Sequence, residues 1–149
     1  MPRSPRDRQL LDQRLAAWRA VPDATPPRGW LRAIRDALGM PRAAVARRLG
    51  VTDQAVAYLE KSEADGSIQL DTLRRAAEAL DCTLVYALVP NRSLEAIVDE
   101  RAHQVARRDV DRVQHSMLLE DQHGGDDETE RLVDELTEQV KQSPALWRD

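Results

Sequence analysis

Few residues in this 149-residue chain could do covalent or metal chemistry, and their spacing argues against it. His103, His115 and His123 lie 12 and 8 residues apart, whereas metal-binding histidines on a helix recur at i, i+3 or i+4. They read as surface histidines. Cys82 is the only cysteine, which excludes an internal disulfide and a multi-cysteine zinc site; no histidine stands near it, and it reads as a small buried residue. The glycines fall at expected helix ends or in loops, so no phosphate-cradling loop is expected. The acidic C-terminal stretch reads as a solvated charged face. Together these point to a non-enzyme with no cofactor and no metal.

The informative pattern lies between Arg42 and Lys61 and concerns how two helices meet. A helix-turn-helix needs a small residue where the helices cross, a glycine in the turn and apolar residues wedging the pair together. Ala46 is the small residue, Gly50 follows four positions later and Val56 six beyond that. Val45, Leu49, Val51 and Leu59 fill the other inward positions, and Thr52 precedes the second helix as its N-cap.

The elements around this pair follow from periodicity and breakers. Residues 7–21 read as an amphipathic helix with Leu11, Leu15 and Trp18 at helical spacing. Residues 22–28, with three prolines, read as a linker. A helix from Gly29 to Leu38 has an apolar face of Trp30 or Leu31, Ile34 and Leu38; shorter helices follow at about 41–49, 53–61 and 70–80. Thr83 to Val89 is β-branched and apolar enough for one strand, and the chain offers it no partner strand. Its copy in a second subunit is the expected partner, giving a homodimer through residues 83–89. Ser93 is the expected N-cap of a long helix to about Gln122, and Asp127 with Glu130 forms an expected capping box for a last helix to about Gln142. The domains expected are therefore 1–28 (helix and linker), 29–90 (helix-turn-helix with terminal strand) and 91–149 (helical, acidic, partner-binding). The fold class is mainly α.

Composition narrows the function. The chain carries 22 Lys+Arg and 26 Asp+Glu, a net of −4, but residues 1–92 hold 15 basic and 11 acidic residues and residues 93–149 hold 7 and 15. A mildly basic front and an acidic back suggest two jobs. With no Phe, three Trp and two Tyr, the chain lacks the aromatics of a base-stacking single-strand platform. The longest apolar run, Leu84 to Val89, is far shorter than the roughly 18–20 residues of a membrane helix. No apolar stretch follows the charged N-terminus. A cytoplasmic protein with no membrane association is expected.

The stretch from Leu38 to Lys61 resembles the phage-repressor-like helix-turn-helix family, and Leu70–Leu80 resembles that family's next helix. The resemblance implies a five-helix domain whose second motif helix enters the major groove of duplex operator DNA. Carried over position by position, Asp53, Gln54, Ala57 and Tyr58 would face the groove, while Arg42, Lys61 and Arg28 are candidate phosphate contacts. Thr52 opens that helix. Gln54 can bond bidentately to adenine, Ala57 can touch a thymine methyl, and Asp53 can accept from cytosine N4.

A wider resemblance runs through Gly29–Arg35, Leu59–Ile68, Leu84–Pro90, Ser93–Ala102, Met117–Gln122 and Leu146-Trp147. These segments, in this order, resemble the family called mobile mystery protein A. That family is implied to travel on mobile elements beside mobile mystery protein B, a Fic-domain protein; Fic domains transfer AMP from ATP to target hydroxyls. The implied role is antitoxin and repressor of the operon. Fic enzymes are held off by a helix bearing Ser/Thr-x-x-x-Glu-Gly/Asn. Ser116 and Glu120 match its Ser and Glu, with Asp121 where the pattern has Gly or Asn. The alternative function is a stand-alone phage-type repressor whose acidic tail only dimerises. A purely protein-binding antitoxin with a vestigial motif also stays open.

Overall fold

The computed structural model describes residues 4–21, 25–118 and 125–148. Among these residues the chain forms α1 (Pro5–Arg19), α2 (Trp30–Ala37), α3 (Arg42–Leu49), α4 (Asp53–Ala64), α5 (Leu70–Ala79), α6 (Leu94–Leu118) and α7 (Asp126–Lys141), with a 3-10 turn at Pro144–Trp147. They fall into two compact units: residues 21–87, and residues 1–20 together with 88–149. Among the described residues no helix is long and apolar enough to cross a membrane.

The unit of residues 21–87 contains α2 to α5. Its core is one cluster of Leu31, Val45, Ala46, Val56, Ala76, Ala79 and Leu80, with Ile34, Leu49 and Leu73 packed against it. Leu31 rather than Trp30 faces this core; Trp30 is half exposed. Gly50 ends α3 in the left-handed region at φ 67°, where a side chain is disfavoured, and this lets Val51 N donate to Ala46 O at 3.0 Å. The chain reverses there, and Thr52 caps α4 by accepting from Ala55 N at 3.1 Å.

In the other unit α6 packs on α7. Val98, Ala102 and Val105 meet Val140 and Leu146, and further along Ala106 and Val110 meet Val133. Ala102, Ala106 and Val133 are wholly buried; the two alanines allow close approach of the helix backbones. Lys141 Nζ lies 2.7 Å from Asp99, and Arg101 Nε donates to Leu146 O at 3.0 Å, pinning the C-terminal turn. The N-terminal helix belongs to this unit. It buries no residue fully and attaches through charge: Arg8 grips Glu95 with two bonds of 2.6 and 3.2 Å. The Asp12 carboxylate accepts from Leu94 N at 2.9 Å, while Ser93 Oγ accepts from Ala96 N at 3.1 Å. Two side chains thus cap α6, one of them from 82 residues away.

Two local expectations are corrected. Residues 83–89 form no strand, and no described residue does. A ladder needs two strands, and this run is a single connecting segment with Val85, Tyr86 and Leu88 exposed. The capping box at Asp127 and Glu130 is also absent. Helix α7 starts two residues earlier with Gly125 as N-cap, and Asp126, Asp127 and Glu128 sit in its first turn, where the helix dipole favours negative charge. Glu130 pairs with Arg107 instead.

Candidate nucleic-acid interface

Helix α4 is two-sided. Val56 and Glu60 are buried against the rest of the unit, with 3% and 5% of their surface exposed. Gln54, Ala57, Tyr58 and Lys61 recur at i, i+3, i+4 and i+7, so they line one stripe of the opposite surface. Gln54 and Lys61 are exposed, Ala57 is half-buried, and Tyr58 is 70% exposed, an unusual position for an aromatic side chain with a hydrogen-bonding tip. Asp53 is exposed beside this stripe in the first turn, one residue after the Thr52 cap. The structure therefore brings Gln54, Ala57, Tyr58 and Lys61 together on one helix face, with Asp53 exposed at the start of the helix to one side of it.

Arg42 stands apart from that stripe. It opens α3, and its Nε lies 3.3 Å from Glu60 Oε2. Its side chain keeps about a third of its surface exposed, at 37%. Arg28 is exposed in the turn before α2. Ser116 is exposed on α6 and donates to its own helix at Arg112 O, 3.2 Å away. Glu120 lies outside the described residues.

What holds α4 in place was not apparent from the motif. Glu60 accepts from Arg35 Nε at 2.5 Å and from Arg35 Nη2 at 3.3 Å, and Arg35 also donates to Met40 O at 3.0 Å. Hydrogen bonding to Glu60 raises the Arg35 pKa, so its charge is held firmly. One carboxylate thereby links α4 to both α2 and α3. A second, Glu63, accepts from Trp30 N at 2.8 Å and Leu31 N at 2.9 Å. The available signal was a charge at an inward helical position: Arg35 is four residues after Leu31, and Glu60 four after Val56.

An exposed stripe of short polar and aromatic side chains, on a helix held by its opposite face, suits reading base edges from the major groove. Among the described residues no cluster of His, Cys, Asp or Glu could hold a metal ion. No curated protein and no solved structure matches the chain. Residues 31–86 match the family model described as helix-turn-helix, HTH_3, so this segment is an XRE-like helix-turn-helix domain and points to a DNA-binding transcription regulator.

Proposed function

We propose that this chain represses its own operon and serves as antitoxin to a Fic-type, AMP-transferring toxin. The DNA half of the reading is carried by the exposed stripe Gln54, Ala57, Tyr58 and Lys61 on α4. In this reading Gln54 bonds an adenine edge, Ala57 meets a thymine methyl and Asp53 accepts from a cytosine amine. Lys61, Arg28 and Arg42 lie against phosphate.

Operators of this class are read by dimers, with half-sites about 34 Å apart. Residues 83–89 supply the contact: Val85, Tyr86 and Leu88 are exposed in the single chain, and burying them against a second copy removes apolar surface from water. The toxin half rests on the resemblance to mobile mystery protein A and on a separate helical unit that ends in an acidic helix. Ser116 and Glu120 are the inhibitory pair, the glutamate competing with ATP phosphate for a toxin arginine.

The test is co-expression with a Fic-domain protein encoded beside the gene. Co-purification, with AMP transfer suppressed, is the expected result. Glu120→Gly then restores transfer in an intact complex if the glutamate acts directly, whereas continued inhibition assigns the effect to steric cover by residues 93–149. Failure to co-purify rejects the antitoxin role and leaves the DNA-binding regulator.

A further inference from the structure

We propose that Glu63 is a positioning residue for base readout: it fastens the last turn of α4 to the first turn of α2 and so fixes the rotation at which Gln54 and Tyr58 are presented. The inference rests on the DNA-binding reading above and deepens it.

The first turn of any helix leaves amide groups without internal partners. Gly29, the N-cap of α2, has no side chain to satisfy them. Glu63 does so from another helix, one carboxylate oxygen on Trp30 N and the other on Leu31 N. Gly29 is shaped to this contact. Its φ is 80°, and a Cβ there would lie 2.4 Å from Glu63 Oε2, so a side chain at position 29 would displace the carboxylate.

Glu63 and Glu60 stand three residues apart on α4, and both bond to α2. One attachment point leaves a helix free to pivot; two define its rotation about its own axis. Side-chain tips lie about 5–6 Å from a helix axis, so a turn of about 10° shifts Gln54 by about 1 Å. A bidentate bond to a base does not survive such a shift, whereas attraction to phosphate falls off slowly with distance. Loss of Glu63 therefore lowers operator affinity and leaves non-specific affinity in place, a split that lost stability alone does not produce.

The experiment uses the full chain and a duplex selected by the wild-type protein from a random pool. Binding to this duplex and to a scrambled one is measured at a temperature where every variant is folded. Glu63→Ala is expected to lose about tenfold on the selected duplex, equivalent to one base contact, and nothing on the scrambled one. Glu63→Gln keeps one acceptor oxygen and falls between. Equal losses on both duplexes, or no loss on either, overturn the proposal while leaving the DNA-binding reading intact. A wild type that selects no sequence overturns both. Should Glu63→Ala not fold, Glu63→Gln combined with Gln54→Ala decides: less-than-additive losses support action through Gln54, and additive losses refute it.

Discussion

In residues 21–87 the helices close on a single apolar cluster crossed by one buried ion pair, Arg35–Glu60. The unit of residues 1–20 and 88–149 closes instead on two valine and alanine stripes between α6 and α7, and charges finish its edge. Charge is divided differently too. Residues 21–87 carry nine basic and nine acidic residues, while residues 1–20 carry five arginines and two aspartates. Most of the positive surplus of the front half thus lies in residues 1–20, which belong with the C-terminal helices. With no cationic excess, the helix-turn-helix unit must draw its DNA affinity from a few placed contacts rather than from a general field. This puts the weight on the α4 stripe and on the carboxylates that orient it.

The contrast is open to direct attack. The largest expected effect is that of Glu60→Ala, which takes from the buried Arg35 its buried carboxylate, leaving it Asp36 at 2.9 Å and Met40 O, and costs about 3 kcal/mol. Calorimetry should show the transition of residues 21–87 lost or strongly lowered while the α6–α7 transition stays. A matching fall of both would show that the units do not melt independently. Val133→Ala strikes the other unit: it opens a cavity at a wholly buried position and should cost about 2 kcal/mol in the α6–α7 transition alone.

Asp12→Ala removes a cap from α6 and should cost about 1 kcal/mol, with faster proteolysis between α1 and α2 as its marker. Unchanged proteolysis would show that Arg8 and the half-buried Leu15 and Trp18 suffice to hold α1. The smallest effect is alkaline. The carboxylates of Asp99 and Glu138, each 2.7 Å from Nζ, raise the Lys141 pKa from its ordinary value. A raised lysine pKa gives stability that is whole below the unfolded value and is lost as pH rises through the folded one. The α6–α7 transition should therefore weaken above about pH 10.5, and Lys141→Met should remove part of that slope.

Legibility in the sequence followed contact range. Gly50, Ala46 and Val56 announce the helix pair because their contacts lie within twenty residues and each residue type has a single use there. Asp53, Gln54, Ala57 and Tyr58 came from the resemblance, position by position; helical spacing then groups Gln54, Ala57, Tyr58 and Lys61 on one stripe and leaves Asp53, three residues before Val56, at its edge. The ties that orient this face were not visible. Arg35–Glu60 and Glu63–Leu31 span 25 and 32 residues, and Arg8–Glu95 spans 87. No periodicity encodes such pairs, although an arginine and a glutamate at inward positions hinted at the first. Thr83–Val89 misled in the opposite sense: strand composition describes a preference, and a strand exists only with a partner to pair with.

The most direct test is binding of the full chain to the duplex upstream of its own reading frame, set against random duplex of equal length, for the wild type and Gln54→Ala. The wild type is expected to bind its own duplex specifically, and Gln54→Ala to weaken that binding by about 1–3 kcal/mol with random-duplex binding unchanged. Equal affinity of the wild type for both duplexes would rule out sequence readout by α4.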